Sequence, residues 1–314
     1  MTDFLSIVFD DLHLRDAEYL FLTTAKPWSA HISLPNRAVF HAVLQGQVEC
    51  VIGDEQFDLS AGDILIIPGA KAHEIRMPQA PNHVEPVDIS RDFKRLQLSP
   101  MQLGEGAFDS LILSASCLFD EVMGAPLISA LPIAMPIRGM TKHPPNWLRI
   151  GIEFLLDEMS DLKPGHQAIL NRLGDIWFLE CLRTYITDLP EGNETWLRAL
   201  KDPLLGSVLS SIHQYPQQPW TVNALAEVAH LSRSAFAERF IRCMGMPPLT
   251  YVTEHRMRIA VRELTHSAQP IRHIAEQVGY SSENAFGQAF KRIHGCSPGQ
   301  YREKIRKNDT EISL

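Results

Sequence analysis

The sequence predicts an α+β fold in three parts: a β-barrel, a two-helix segment and an all-α part with a tandem helix-turn-helix. Short alternating segments separated by Gly and Asp turns fill the N-terminal part. Two long stretches with helical apolar periodicity follow. The last third repeats one pattern of aromatic, Gly and Pro residues at an offset of 49 to 50 residues. We therefore place the domains at residues 1–135, 136–194 and 195–314.

The strand predictions rest on period-two alternation of apolar residues, interrupted at regular intervals by Gly and Asp. The predicted strands are Arg37–Leu44, Val48–Ile52, Gln56–Leu59, Ile64–Ile67 and Ser110–Phe119. Between them, residues 77–90 predict a long loop, Phe93–Leu98 is a candidate strand, and Leu127–Pro136 is expected to be a buried connection. Regular short strands of this kind indicate a sandwich or a barrel.

Two of these segments resemble a known family. Phe40–Gly46 and Gly62–His73 are similar to the two sequence motifs of cupin barrels. The resemblance implies a sensory cupin domain with His73 turned into the mouth of the barrel. Catalytic cupins place two His and one Glu in the first motif, whereas here Val39 stands at the Glu position and His41 follows two residues later. At least two usual ligands are therefore missing, so no metal or other cofactor is expected.

His41 and His73 remain the candidate effector-binding residues. Three interpretations stay open for them. They form a hydrogen-bonded pair that holds no ligand, they contact a small effector, or they belong to a metal site that Glu49 or Cys50 completes. A metal-dependent cupin enzyme with an appended helical domain is the alternative function, but it needs a full ligand set or another acid–base constellation, and the sequence offers neither. We expect a protein that is not an enzyme.

Two amphipathic helices are predicted over Trp147–Asp161 and His166–Leu189. The apolar positions of the first are Leu148, Ile152, Leu155, Leu156 and Met159, and those expected inward on the second are Ile169, Leu173, Ile176, Trp177, Leu179, Leu182 and Ile186. Such stripes are usually core packing. The resemblance to sensory cupin domains implies that the helices after the barrel can form a dimer interface, so a homodimer through this pair also stays open. Pro190–Glu194 is the expected polar linker.

Each copy of the C-terminal repeat predicts a helix-turn-helix. In the first copy, Val222–Ala229 is a short helix, and Ser232 caps a second helix with Phe236 and Phe240 inward. In the second copy, Ile271–Val278 precedes a turn at Gly279, and Ser281 or Ser282 caps the helix that carries Phe286 and Phe290. Between the copies, Leu249–Thr265 predicts a helix of roughly 25 Å, which would hold the two second helices apart.

The second copy carries a specific family signature. The run Gly279–Arg292, followed by Gly295–Pro298 and Tyr301-Arg302, resembles the signature of AraC/XylS-type transcription regulators. The similar region spans Asp202–Arg306. The resemblance implies a seven-helix DNA-binding domain whose two recognition helices enter adjacent major grooves of operator DNA. It also makes RNA polymerase a candidate partner. The cytoplasm is the expected location, because the sequence shows neither a signal-peptide pattern nor an apolar run of membrane length.

The DNA contacts follow from the outward positions of the second helix in each copy. By resemblance, the base-facing residues are Ser234, Ala237, Glu238, Glu283, Asn284 and Gln288, and Arg233 is a further outward position of the first copy. The cations expected on the phosphates are Arg239, Arg242, Lys291 and Arg292. Asn and Gln can pair bidentately with adenine, and Glu can accept from cytosine. Because Ala237 and Glu238 offer little attraction, more of the direct readout is expected from the second copy. A plainly solvated surface is the alternative at each position.

The charge distribution agrees with a nucleic-acid partner. Residues 202–307 hold 13 Lys and Arg against 8 Asp and Glu, a net charge of +5, whereas residues 1–201 hold 16 against 27, a net charge of −11. The positive part coincides with the repeat, as contact with phosphates requires. A protein-interaction module is therefore a weaker hypothesis. The five Cys are too scattered for a zinc ribbon or a disulfide framework, and neither a signal-peptide pattern nor an apolar run of membrane length is seen.

Overall fold

The computed structural model describes residues 4–12, 14–69, 71–81, 83–94, 100–138, 145–160, 163–188, 196–199 and 202–312. Its contacts divide the chain into two compact units. One contains residues 12–121 and 128–190, and the other contains residues 1–11, 122–127 and 191–314. The domain boundaries expected from the sequence stay a prediction. Among the described residues, no helix has both the length and the apolar character that a membrane span requires.

The first part of the chain alternates strands with few helices. In chain order its elements are α1 (Phe4–Leu12), β1 (Arg15–Ala25), β2 (Ser29–Ile32), β3 (Arg37–Gln45), β4 (Gln47–Ile52), β5 (Glu55–Ser60), β6 (Ile64–Ile67), β7 (His73–Arg76), β8 (Val87–Asp88), β9 (Met101–Leu103), β10 (Phe108–Leu118), α2 (Ala125–Ala130), β11 (Met135–Ile137), α3 (Asn146–Ser160) and α4 (His166–Asp188). The strands form a six-stranded sheet in the order β11-β6-β3-β10-β1-β9 and a five-stranded sheet in the order β5-β4-β7-β2-β8.

The alternation of side chains along β3 explains why the six-stranded sheet is buried on both faces. Val39 and Val43 join the apolar core that both sheets share. The intervening Phe40 points to the other face, where its ring stacks on Trp177 of α4 at a centroid distance of 5.4 Å. The Tyr19 hydroxyl of β1 donates to the Leu170 carbonyl of the same helix at 2.8 Å. Helix α4 therefore covers the outer face of this sheet, as a half-buried sheet needs.

Helix α3 packs on α4 through a glycine. A Cβ atom at Gly151 would lie 2.4 Å from Nε1 of Trp177 and 3.0 Å from a methyl group of Leu173. Real Cβ contacts are not that short, so only glycine permits this approach of the two helices. The sequence-based assignment of the buried stripes is wrong in part: Leu156, Ile169 and Ile176 are exposed. Four expected positions of α4 are buried, namely Leu173, Trp177, Leu182 and Ile186, while Leu170 and Cys181 are buried without having been expected.

Other expectations for this unit meet mixed outcomes. The five predicted strands are present within one or two residues of their expected ends. The candidate strand at Phe93–Leu98 is wrong at its start, because Asp92–Lys94 forms a 3-10 helix, and its remainder lies outside the described residues. The expected buried connection contains helix α2 and strand β11. The linker Pro190–Glu194 also lies outside the described residues.

The other unit is helical. Its elements are α5 (Trp196–Ala199), α6 (Pro203–Gln214), α7 (Val222–Val228), α8 (Arg233–Met244), α9 (Pro248–His266), α10 (Ile271–Gln277), α11 (Glu283–His294) and α12 (Pro298–Ile312). Phe236, Phe240, Phe286 and Phe290 are fully buried. The predicted repeat is therefore two helix pairs, α7–α8 and α10–α11, joined by α9. Gly245 and Gly295 end the second helices of the two pairs in the left-handed conformation.

The N-terminal helix belongs to this unit, which the sequence did not lead us to expect. Phe4 is buried and meets the ring of His213 edge-on at 5.2 Å. Asp11 lies 3.1 Å from Nδ1 of the same histidine. On its other side, the His213 ring stacks on His255 at a centroid distance of 3.8 Å, and its Nε2 lies 2.8 Å from the Tyr251 hydroxyl. The first residues of the chain are thus part of the helical core.

Candidate nucleic-acid interface and barrel histidines

The second helix of each pair begins in the way its sequence predicts. Ser232 accepts a hydrogen bond from the backbone N–H of Ala235, and Ser282 accepts one from that of Ala285. These caps satisfy amide groups that have no partner within the helix. They also fix where α8 and α11 begin, and therefore which residues occupy the first two turns. Those turns are the part of a helix-turn-helix that reaches base edges.

The predicted contact residues lie on the exposed sides of α8 and α11. Exposed positions are Arg233, Ser234, Glu238, Arg242, Glu283, Asn284, Gln288, Lys291 and Arg292. Ala237 and Arg239 are half-buried. Lys291 and Arg292 stand in the last turn of α11, where the helix dipole also favours cations. The structure therefore presents the expected set to solvent, while its contact with DNA remains a prediction.

Arg239 has a partner within the protein. Its Nε and one terminal nitrogen both lie 2.7 Å from Oδ2 of Asp202. Asp202 also caps α6 by accepting from the N–H groups of Leu204 and Leu205. The guanidinium thus ties α8 to the start of α6, and it must share or give up this bond to hold a phosphate. Sequence reasoning missed Asp202, although an acid directly before Pro203 is a recognisable helix start.

The turn of each helix pair uses the same backbone conformation. His230 has a φ of 53° and Gly279, its counterpart in the repeat, has a φ of 81°. A Cβ atom at Gly279 would also lie 2.7 Å from the carbonyl oxygen of Gln217. Glycine is required there for both conformation and space. The first copy places a histidine in the same left-handed region at a modest conformational cost.

Arg256 of α9 connects the two copies, a role that no sequence pattern indicated. Its Nε donates to the Pro216 carbonyl and a terminal nitrogen donates to the Gln218 carbonyl, each at 2.7 Å. The guanidinium carbon lies 5.8 Å from the ring centroid of Tyr280, which follows the turn of the second copy. One side chain therefore holds the loop before the first copy and packs on the turn of the second.

His41 and His73 meet inside the barrel. Their Nε2 atoms are 2.9 Å apart, and both side chains are buried. Nδ1 of His41 lies 2.8 Å from the Ser114 hydroxyl, and Nδ1 of His73 lies 2.8 Å from the Lys71 carbonyl. Burial lowers the pKa of both rings, that of His73 to about 4, so both are neutral at pH 7.

The positions of the protons in this row of hydrogen bonds follow by elimination. A carbonyl can only accept, so Nδ1 of His73 carries the proton and its Nε2 is an acceptor. Nε2 of His41 then donates to it, and Nδ1 of His41 accepts from the Ser114 hydroxyl. All four ring nitrogens are satisfied within the protein. This geometry favours the first of the three interpretations, a hydrogen-bonded pair.

Among the described residues, no third metal ligand lies beside His41 and His73. Glu49 forms an ion pair with Arg76 and accepts a hydrogen bond from Gln56 at 3.0 Å. Burial raises the pKa of the Cys50 thiol to about 12, which disfavours the thiolate that binds metals. Among the described residues, no three His, Cys, Asp or Glu side chains come together in a group that could hold a metal ion.

Comparison with known proteins agrees with both halves of this description. Residues 3–187 match the cupin family, and residues 225–304 match the helix-turn-helix domain family. The chain is 37% identical over 305 residues to the HTH-type transcriptional regulator AlkR of Acinetobacter baylyi, covering 96% of this chain and 99% of that protein. It is 32% identical to the RCS-specific HTH-type transcriptional activator RclR of Escherichia coli, covering 85% of each chain.

A third relative carries the family name itself. A putative AraC-like transcription regulator of Streptomyces lividans is 29% identical over 280 residues, which covers 88% of this chain and 90% of that one. The relatives match across both the cupin and the helical part, so the resemblance is not confined to one domain. With its cupin barrel and its two capped helix pairs, this chain belongs to the AraC-like DNA-binding transcription regulators.

Proposed function

We propose that the protein is a sequence-specific regulator that binds operator DNA as a homodimer and responds to a small effector through its cupin domain. The observation that carries the DNA assignment is the pair of Ser-capped helices, α8 and α11, whose first turns are solvent-exposed and lie within residues 202–307, a segment of net charge +5. Asn284 and Gln288 lie one turn apart on α11 and are both exposed. They are the best-placed groups for bidentate contacts with adenine.

The two helix pairs should contribute unequally. On α8, Glu238 is exposed and would repel phosphates, and Ala237 offers only a methyl contact. On α11, Lys291 and Arg292 stand beyond the amide side chains and would hold the backbone while the amides contact bases. Arg239 is expected to contribute less than these cations because Asp202 already neutralises it. We therefore assign most of the specificity to the second copy.

The dimer proposal rests on exposed apolar residues of α3 and α4. Phe154 is 57% exposed and Ile150 is 44% exposed on α3, one turn apart. Ile169 and Ile176 are exposed on α4, two turns apart. Solvent-facing apolar groups in such a series mark association surfaces more often than isolated ones do. A second copy of the chain is the occupant that a symmetric operator would require. RNA polymerase is the further partner that an activator would need.

A direct test starts with the full-length protein and random DNA. Selection of bound sequences should yield one recurring site with two half-sites, and retention should fall steeply with salt. The protein should sediment as a dimer, and Phe154→Glu should shift it to a monomer that binds a single half-site more weakly. No enrichment after several rounds, or retention that salt does not change, would remove the DNA assignment. An unchanged sedimentation coefficient in Phe154→Glu would remove the α3–α4 interface alone.

A further inference from the structure

A cavity of about 360 Å³ lies within the cupin unit, outside the barrel. It opens between the outer face of the six-stranded sheet and helix α3. Ala42 and Ile64, which pair across β3 and β6, line it from the sheet, and Leu148 and Ile152 line it from the helix. Its size falls within the range of roughly 300–1,000 Å³ that is usual for small-molecule sites.

The space exists because small residues stand where the neighbouring positions carry large ones. On the same face of β3, Phe40 fills the gap to α4 by stacking on Trp177. Two residues further along, Ala42 faces α3 across an open space, and Ala61 and Gly62, in the turn before β6, add no bulk. Helix α3 is held beside this space by its close contact with α4 at Gly151. An apolar space that the fold keeps open is therefore part of the architecture.

The charged groups at the cavity are already paired. The buried Asp63 carboxylate accepts from Arg138 at 2.9 Å and from the backbone N–H of Ser60 at 3.0 Å. Arg149 and Glu153, one turn apart on α3, form an ion pair at 3.0 Å. A charged ligand would gain a strong partner only by breaking the contact between the buried Asp63 and Arg138, because the Arg149–Glu153 pair is exposed and weak, whereas a neutral ligand breaks neither pair. The lining thus favours an uncharged molecule over an anion or a cation.

The barrel interior is a poorer place for such a ligand. The hydrogen bonds of His41 and His73 satisfy one another, Ser114 and the Lys71 carbonyl, so an effector there would have to displace at least one bond. Around the pair, apolar side chains from both sheets, including Val43 and Ile75, are fully buried. A ligand would have to rebuild that core before it could bind.

We propose that the cavity between the sheet and α3 is the effector site, and that it takes an uncharged, largely apolar small molecule. This assignment rests on the proposed effector response of the cupin domain. It also links the effector to the dimer. The residues of α3 that line the cavity and the exposed Ile150 and Phe154 lie on opposite sides of one helix. A molecule that fills the cavity therefore acts on the helix whose outer side forms the proposed dimer surface.

The test uses two probes with one aromatic skeleton. N-Phenyl-1-naphthylamine is neutral, and 1-anilinonaphthalene-8-sulfonate is its anionic analogue. Titration of the full-length protein, followed by fluorescence, should give saturable binding of the neutral probe at one molecule per chain. The sulfonate should bind at least about tenfold more weakly, because its charge finds no unpaired partner. Equal or tighter binding of the sulfonate, or no saturable binding of the neutral probe, would overturn the proposal.

Variants locate the binding. Ala42→Leu fills the cavity from the sheet and Ile152→Trp fills it from the helix, so each should weaken the neutral probe by about tenfold or more. Phe108→Ser removes exposed apolar surface on β10, outside both the cavity and the proposed dimer surface, and should leave probe affinity within about twofold. His41→Gln tests the barrel interior, under conditions where urea unfolding shows that its cupin unit is folded. Unchanged affinity in both filling variants, or loss of binding in Phe108→Ser or in folded His41→Gln, would place the site elsewhere.

The same variants separate this inference from the proposed function. Retention of a selected operator by Ala42→Leu or Ile152→Trp would show that the DNA assignment stands, and a wild-type urea midpoint would show that the variant cupin unit is folded. Loss of probe binding in a variant that is folded by this measure supports the site. A wild-type protein that binds the probe as expected but no DNA would refute the regulator proposal and leave the cavity assignment intact.

Discussion

Nε2 of His41 lies 2.9 Å from Nε2 of His73, at the centre of the apolar core between the two sheets. The bond joins β3 of the six-stranded sheet to β7 of the five-stranded sheet. It continues through Ser114 of β10 on one side and through the Lys71 carbonyl on the other. A polar chain that crosses a barrel core in this way fixes how the sheets face each other, because each group has only one partner that satisfies it.

Truncation of the pair should therefore destabilise the cupin unit. His41→Ala leaves the His73 acceptor and the Ser114 hydroxyl without their partner, which costs about 1–3 kcal/mol beyond the lost packing. Ser114→Ala leaves one acceptor, Nδ1 of His41, without its partner instead of two groups, so it should cost less, about 1 kcal/mol. Urea unfolding at pH 7.5 measures both changes. Equal losses in the two variants would mean that the central bond contributes nothing of its own.

The buried rings also predict how stability depends on pH. Burial lowers the pKa of His73 to about 4 in the folded protein, whereas an unfolded histidine titrates near 6.5. Below pH 6.5 the unfolded chain binds a proton that the folded protein does not, so stability is complete above pH 6.5 and falls as the pH drops towards 4. Each such ring lowers the free energy of unfolding by up to about 1.4 kcal/mol for each pH unit below 6.5. Urea midpoints between pH 7.5 and 5.5 should fall more steeply for the wild type than for His73→Gln.

The DNA contacts predict two kinds of variant. Asn284→Ala or Gln288→Ala should weaken binding to a selected operator by roughly 1–3 kcal/mol each and leave binding to random DNA nearly unchanged. Lys291→Ala should weaken both and reduce the salt dependence of binding by about one counterion. Fluorescence anisotropy at several salt concentrations separates these effects. If both kinds of variant lose operator and random DNA equally, α11 does not read bases.

Much of this interface could be anticipated from the sequence, because a duplication marks equivalent positions twice. The caps at Ser232 and Ser282 and the inward phenylalanines followed from local rules that tertiary packing did not override. The exposed sides of α8 and α11 then followed from helical geometry. His230 is the exception, since nothing about a histidine indicates that it must adopt a positive φ.

The features that could not be predicted from the sequence depend on pairs of residues that lie far apart along the chain. Neither Arg239 with Asp202 nor Asp11 with His213 is visible in any local pattern, because 37 and 202 residues separate the partners. Helical periodicity located α4 correctly, but it could not decide which of two apolar stripes meets the sheet. Ile169 and Ile176 consequently lie exposed. The barrel histidines could be placed inward by alternation, but their mutual bond depends on how the two sheets stack.

Arg256 offers a test of how the two copies are held together. Arg256→Ala removes charge-assisted bonds to the carbonyls of Pro216 and Gln218, so it should destabilise the helical unit by about 2–3 kcal/mol. Arg272→Ala is the matched control, because its ion pair with Glu276 is exposed and contributes at most about 0.5 kcal/mol. Thermal unfolding monitored by circular dichroism compares the two. A similar small effect in both would show that α9 holds the copies without this arginine.

Replacing each of the two stacked histidines of the helical unit by leucine should change the stability of that unit in opposite directions. Neither ring nitrogen of His255 has a hydrogen-bond partner among the described residues, although the ring is buried. His255→Leu removes these unsatisfied groups and should be neutral or stabilising by about 1–2 kcal/mol. His213 instead bonds to Asp11 at 3.1 Å and to the Tyr251 hydroxyl at 2.8 Å. His213→Leu should therefore cost about 1–3 kcal/mol, because Asp11 and Tyr251 each lose a hydrogen bond in a buried site.

Urea unfolding at pH 7.5 distinguishes the two variants, and the pH dependence gives an independent check. Burial lowers the pKa of His255 well below its ordinary value, and the neighbouring His213 lowers it further. The wild type thus loses stability below pH 6.5 as the unfolded chain takes up this proton, and His255→Leu should lose less over the same range. If His255→Leu is as destabilising as His213→Leu at pH 7.5, then the His255 ring nitrogens are not unsatisfied and the prediction is wrong.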